Sequence, residues 1–312
     1  MYHFCVSLER NLVQTEDGYW VFQPLPTELE LNQYYSEEYY QNPHGTYQEE
    51  YSAEETFHRE TRLRLLKDFI IANVSHISLD APRFLDIGCG EGFALSYFNR
   101  LGWQVKGLDF SIHGVSKQNP SMIEKVTQGD LFHSIRTLGH SADRFDVVLL
   151  GNVLEHVVSP AELIQDVSHI LSDHGVLCIT VPNDFSMLQK LLYDQKKIHE
   201  KYWIAYPDHL NYFTLQSLRT FLTNQNMAVI DYYCDFPIEW YLTNRHSNYV
   251  LDPNLGKSAH LSRVFLDSQI NNSENRETVM CFWRCLSELG FGRSITTISR
   301  KNPTQSPDHQ LE

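Results

Sequence analysis

Pro82–Ser111, PRFLDIGCGEGFALSYFNRLGWQVKGLDFS, constrains the fold of this chain more than any other stretch. The apolar run RFLDI ends in Gly88, Gly90 and Gly92, a helical pattern follows from about Glu91 to Leu101, and a second apolar run, WQVKGLD, ends in Asp109. A strand that terminates in glycines lets bare backbone and the start of the next helix approach a ligand. Strand, helix and strand at this spacing form a βαβ unit, whose strands are parallel and whose crossover is right-handed.

The alternation continues. IEKVTQGDL supplies a third strand, RFDVVLLGN a fourth and GVLCITVPN a fifth; SPAELIQDVSHIL is a helix with Ser159 as cap and Pro160 at its first position. After a break come a helix capped by Thr214 (TLQSLRTFLTNQN), a strand (MAVIDYYC) and a last strand with period-two alternation (GFGRSITTISRK). The expected class is α/β, a doubly wound, mostly parallel sheet. The expected division is an N-terminal tyrosine-rich helical lid over 1–78, a core over 79–234 and 288–302, a helical insert over 235–287 and a loose tail over 303–312. AEETFHRETRLRLLKDFIIAN, in the first of these, reads as an amphipathic helix.

The net charge of −14 argues against nucleic acid or an anionic membrane as the main partner, since both reward a basic face. No apolar run approaches the roughly 20 residues of a membrane span, and the first 20 residues lack a signal-peptide pattern. A cytoplasmic protein with reduced, buried cysteines is expected. Cys281 and Cys285 lie four apart on a helix, but without a second ligand pair no metal site is expected.

The glycine cluster reads G-x-G-x-G, with Phe93 where a dinucleotide loop carries its third glycine. Asp86, two residues before Gly88, suits a ligand ammonium and sits badly beside a pyrophosphate. Asp109 can accept both hydroxyls of a ribose, and Asp130 can accept from an adenine amino group, with Phe110 and Leu131 on either side of the ring. Each of these aspartates is also a residue type that caps helices and forms turns, so that role stays open for each alone. Together, at the ends of three successive strands, they point to a nucleoside with a cationic amino-acid arm.

These elements in order resemble the class I S-adenosylmethionine-dependent methyltransferases: LDIGCGEG their glycine loop, GLDFS their acidic second-strand end, GDL their adenine loop, FDVVLLGNVLEHVVSP their fourth strand and turn. The resemblance implies a seven-stranded sheet of order 3-2-1-4-5-7-6 with the last strand antiparallel, and S-adenosylmethionine as cofactor. It also places Cys89 and Gly92 of the loop, and Gly151 and Asn152 after the fourth strand, beside that cofactor.

By the same resemblance His156 and His209 lie near the reacting groups, where small-molecule O-methyltransferases use histidine as base. His209, next to Asp208, is the favoured base, and His156 is the alternative. Tyr39, Tyr40 and Tyr212 are candidate acceptor contacts, within a run that also holds Tyr34, Tyr35, Tyr47 and Tyr51. The insert looks like one found in bacterial polysaccharide and natural-product methyltransferases, through Phe236, Pro237, Glu239, Asn248, Tyr249, Val250, Pro253 and Gly256. Its Arg245, His246, Lys257, His260 and Arg263 could pair with phosphates or carboxylates. The expected acceptor is a small molecule, namely a sugar, nucleotide-sugar or natural-product hydroxyl. N-, C- or carboxyl-methylation, a non-catalytic binding subunit and a homodimer stay open.

Overall fold

The computed structural model describes residues 11–27, 30, 50–74 and 81–302. It begins with an antiparallel hairpin, β1 (Asn11–Gln14) and β2 (Trp20–Gln23). Helix α1 (Ala53–Asn73) starts at a capping box: the Ser52 hydroxyl accepts from Glu55 N at 3.2 Å, and the Glu55 carboxylate accepts from Ser52 N at 3.0 Å.

The expected alternation follows. Strand β3 (Arg83–Ile87) leads into α2 (Phe93–Arg100), β4 (Gln104–Asp109) into α3 (His113–Gln118), and β5 (Val126–Gln128) into α4 (Leu131–Gly139). Strand β6 (Phe145–Gly151) precedes α5 (Pro160–Ile170), and β7 (Leu171–Pro182) precedes α6 (Met187–Asp194). A two-residue strand, β8 (Asn211–Tyr212), comes before α7 (Leu215–Asn224) and β9 (Met227–Cys234). The insert holds α8 (Glu239–Leu242), α9 (Gly256–Asn271) and α10 (Arg276–Glu288), and β10 (Ser294–Lys301) closes the sheet.

The seven strands lie in the order β5-β4-β3-β6-β7-β10-β9. Those from β5 to β7 are parallel, and β10 runs antiparallel to both its neighbours. Counted within the sheet this is the expected 3-2-1-4-5-7-6. The central strands are apolar along their length because both faces are covered; Val147, Val148, Leu149 and Leu150 are all buried. Strand β3 pairs with β4 on one side and β6 on the other, so the chain winds away in opposite directions from the gap between β3 and β6. Open α/β sheets bind ligands outside that gap, at the carboxyl ends of the strands.

The N-terminal segment carries the expected helix, α1, and in addition the β1–β2 hairpin, which pairs with β8 in a separate three-stranded sheet that was not expected. The Trp20-Val21-Phe22 run carries strand-forming residues, and Trp20 and Phe22 pack on a second apolar cluster of Phe185, Leu188, Leu192, Trp203 and Tyr212. The tyrosines at 34, 35, 39, 40 and 47, and the tail over 303–312, lie outside the described residues.

The insert folds back over α1. His58 meets Asp267 at 2.6 Å and Arg276 meets Asp68 at 2.6 Å, while Arg284 of α10 grips Asp231 of β9 through two bonds of 2.9 and 2.8 Å. No helix among the described residues is long and apolar enough to cross a bilayer.

Candidate active site

The glycine loop bridges β3 and α2 with Gly88, Gly90 and Gly92 at φ +72°, +52° and +74°. A Cβ at Gly88 would stand 2.5 Å from Val153 Cγ2, so only glycine lets the turn after β6 pack this closely. Several of the loop amides are already engaged. Gly88 N donates to Leu108 O at 2.7 Å, Gly90 N to Asp109 Oδ2 at 2.8 Å and Gly92 N to Cys89 O at 2.8 Å. These three amides are therefore not available to a phosphate.

Asp109 also accepts from Ser111 N at 2.8 Å through Oδ1. Burial pushes its pKa up while these amides pull it back. Each oxygen keeps a lone pair for a ribose hydroxyl. Asp86 is 4% exposed, and no donor reaches its carboxylate among the described residues. Burial, and then the neighbouring Asp109 charge, push its pKa up to about 8. A buried carboxyl without a donor, beside a second carboxylate, fits a cationic ligand and disfavours a pyrophosphate.

The other expected contacts divide. Asp130 caps α4, its Oδ1 accepting from His133 N at 2.8 Å, so the cap role that stood open is made; Oδ2 remains for a ligand. Leu131 is half-buried beside it, whereas Phe110 is 59% exposed. The Cys89 thiol packs against Gly107 and burial pushes it up, so only its backbone can face a ligand. Gly151 is half-buried at the end of β6, and Asn152 beside it takes φ +58°, an uncommon conformation for a residue with a side chain. Tyr51 reaches the loop from outside: its hydroxyl donates to the Glu91 carboxylate at 2.8 Å, and the Arg59 guanidinium lies over the Tyr51 and Phe93 rings at 4.1 and 4.7 Å.

The turn that packs on Gly88 carries the second half of the site. After Val153 come Leu154, Glu155 and His156, stitched to the segment before β8. Leu210 N and Asn211 N donate to Glu155 O at 2.7 and 3.0 Å, and Asn211 Nδ2 donates to Leu154 O and Val157 O at 3.1 and 2.7 Å. These bonds bring His156 and His209 edge to face, with ring centroids 4.9 Å apart.

His156 Nδ1 lies 2.7 Å from Asp208 O, a contact in which the nitrogen must donate, leaving Nε2 with the lone pair. His209 is more enclosed. Burial, then His156 and Arg293, push its pKa down to about 3, and its Nδ1 is buried without a partner. Burial pushes Glu155 up to about 7, and its Oε2 is likewise unpartnered. Glu155, His156 and His209 each offer a ligand atom within 4.8 Å of the others, a donor set that could hold a divalent cation.

Tyr212 is a correction. It is fully buried and its hydroxyl donates to His209 O at 2.8 Å, so it fixes the backbone of His209 and cannot face an acceptor. Arg245 and His246 sit in an exposed turn after α8, with no contact to the histidine pair among the described residues. Tyr39 and Tyr40 lie outside the described residues. Sequence reasoning missed Asp184 and Arg293, joined at 2.8 Å with Asp184 buried; their separation of 109 residues leaves no local signal. Burial opposes the charge on Arg293, but Asp184 and Glu239 outweigh it and hold the guanidinium above its ordinary range. The Glu239 carboxylate, noted only as part of the insert pattern, accepts from Tyr202 OH at 2.9 Å and Gln189 Nε2 at 3.2 Å.

A protein-family model described as "Methyltransferase domain" matches residues 57–232, more than half of the 312-residue chain. The ubiquinone biosynthesis O-methyltransferase of Nitrosococcus oceani is 31% identical over 111 residues, which is 35% of this chain and 47% of that protein. The enzyme of the same name from Pelagibacter ubique is 30% identical over 133 residues, 39% of this chain and 52% of its own. The matched part spans about half the length of these curated relatives. Among solved structures, a SAM-dependent methyltransferase from Archaeoglobus fulgidus aligns with a TM-score of 0.49 at 18% identity, over 78% of this chain and 94% of that one.

Proposed function

The chain belongs to the methyltransferase domain family, and from that premise we propose that it moves a methyl group from S-adenosylmethionine to a hydroxyl of a small acceptor. One observation carries the reading: the Val153–His156 turn packs on Gly88 at one end and holds the histidine pair at the other. A cationic-nucleoside pocket and a proton acceptor thus share one turn. Oxygen is favoured as the methylated atom because the relatives at about 30% identity are named O-methyltransferases.

When bound, the cofactor supplies an electrophilic methyl group on a sulfonium. Asp86 would pair with its ammonium and Asp109 would accept from its ribose hydroxyls. Asp130 Oδ2, Leu131 and the backbone of Cys89, Gly90 and Gly151 would hold the remainder. The protein's main contribution is alignment in a dry site. His156 takes the acceptor's proton at Nε2 while Asp208 O holds Nδ1–H and thereby the tautomer. His209, favoured as base on sequence grounds, is better suited to stay neutral and hold the acceptor hydroxyl, because its burial opposes protonation. The proposed acceptor hydroxyl belongs to a sugar, nucleotide-sugar or natural product.

S-adenosylhomocysteine is expected to raise the melting temperature of the full chain, and NAD to leave it unchanged. A shift with NAD alone overturns the reading.

A divalent cation is the second reading of the same cluster, favoured by the unpartnered Glu155 Oε2 and His209 Nδ1. With His156 as base, turnover is expected to survive dialysis against a chelator. Loss of turnover that Mn²⁺, Mg²⁺ or Zn²⁺ restores would assign the cluster to the cation.

A further inference from the structure

The insert helix α9 faces α1 across a group of charges. Asp267 accepts from His58 at 2.6 Å and from Asn271 Nδ2 at 2.8 Å. Asp235 meets Arg62 at 3.2 Å and accepts from Ser294 N at 2.7 Å. Both acids are thus engaged. Arg263, on the same face of α9, has no carboxylate within ion-pair distance among the described residues. Its Nη2 lies 3.3 Å from His260 Nδ1, and its Nε is buried without an acceptor.

A guanidinium in this position ought to be paired, because removing it from water is costly. Burial, and then the like charge of Arg62, hold it below its ordinary value despite Asp235, Asp267 and Tyr249. The Tyr249 hydroxyl, within electrostatic reach of Arg263, is also buried without a partner. Tyr249 feels Arg293 as well, and Arg293 in turn feels Asp184 and acts on His209. Ser294 N, next to Arg293, bonds Asp235, and Asp184, which bonds Arg293, donates its N–H to Phe213 O beside the Tyr212 that bonds His209 O, so these groups share the carboxyl edge of the sheet with the histidine pair.

Resting on the methyltransferase reading, we infer that the acceptor carries an anionic group, a carboxylate or a phosphate, which Arg263 and the Tyr249 hydroxyl receive. Of the insert's cationic residues, Arg245, His246 and Lys257 are exposed, His260 lies 3.4 Å from Glu55, and Arg276 and Arg284 are paired with Asp68 and Asp231. Arg263 alone among them combines a buried donor with the lack of a carboxylate partner. A planar fork of donors recognises either anion.

The test is thermal unfolding of the full chain saturated with S-adenosylhomocysteine, adding inorganic phosphate, glucuronate, glucose, or sodium chloride at matched ionic strength. Wild type is expected to gain about 2–4 °C over chloride with phosphate or glucuronate, and nothing with glucose. The stronger of the two anions names the group. Arg263→Met is expected to lose that gain and Arg263→Lys to keep part of it. Ligand-free Arg263→Met is expected to melt no lower than wild type, since it sheds a half-buried charge that has no carboxylate partner; a purely structural arginine would lower it. An equal anion shift in wild type and Arg263→Met, or no shift over chloride in wild type, overturns the inference. The S-adenosylhomocysteine shift is read separately in all three proteins, so failure of the cofactor reading is distinguishable.

Discussion

Asp86→Asn is expected to stabilise the ligand-free protein by up to about 4 kcal/mol at pH 7 while weakening S-adenosylhomocysteine binding about a hundredfold. The carboxyl is 4% exposed, so solvent screening does little to discount the figure. Its folded pKa, near 8, stands above the unfolded value near 4, so ionisation opposes folding. The contribution is fully present below pH 4 and is lost as pH rises to about 8. Asparagine keeps the shape and removes the ionisable group. The gain over wild type should therefore shrink when both proteins are melted near pH 4, where the unfolded wild-type carboxyl is itself about half protonated.

The same carboxyl is expected to ionise when an ammonium arrives. Wild type should release about one proton on binding S-adenosylhomocysteine at pH 7, seen by calorimetry in two buffers of different ionisation enthalpy, and Asp86→Asn should release none. Equal affinity in the two proteins would remove Asp86 from the cofactor site. The stabilising direction separates a binding role from a structural one, because a carboxyl that held the β3 end in place would cost stability when replaced.

How far the sequence could be read depends on whether the deciding interaction is local. Val147–Leu150 announces a strand buried on both faces, and Thr214 with Ser217 announces a helix start, since hydrophobic run and cap lie within a few residues. The β1–β2 hairpin has four-residue strands, and its partner β8 has two residues and lies far along the chain, so no local pattern marks the second sheet. Asp130 and Tyr212 belong to residue types that serve either a ligand or the backbone. What decides between them is a single bond, to His133 N in one case and His209 O in the other. His156 and His209 were each legible as candidates. Their relation was not, because it is set by Leu210 N and Asn211 N bonding to Glu155 O across the fold. Burial of His209 is the ground on which the proposed roles depart from the ranking that Asp208, adjacent in sequence, suggested.

His156→Gln is accordingly expected to lower kcat by about 10²- to 10⁴-fold, the range of a positioned general base, with affinity for S-adenosylhomocysteine unchanged. His209→Gln is expected to act mainly on KM for the acceptor and to keep kcat within about tenfold. The pH profile supplies the independent readout. His209 becomes protonated only near pH 3, so it is neutral throughout the working range and contributes no acid limb between pH 5 and 9. Its removal should leave the shape of that limb as in wild type. Glutamine at 156 cannot take a proton, so whatever turnover remains must rely on solvent hydroxide and should rise steadily with pH. If His209→Gln instead abolishes kcat and His156→Gln does not, the roles are exchanged. The acceptor hydroxyl would then have to raise the proton affinity of His209 far above its value in the free protein, because a neutral imidazole that protonates only near pH 3 offers little driving force for removing the proton of an alcohol.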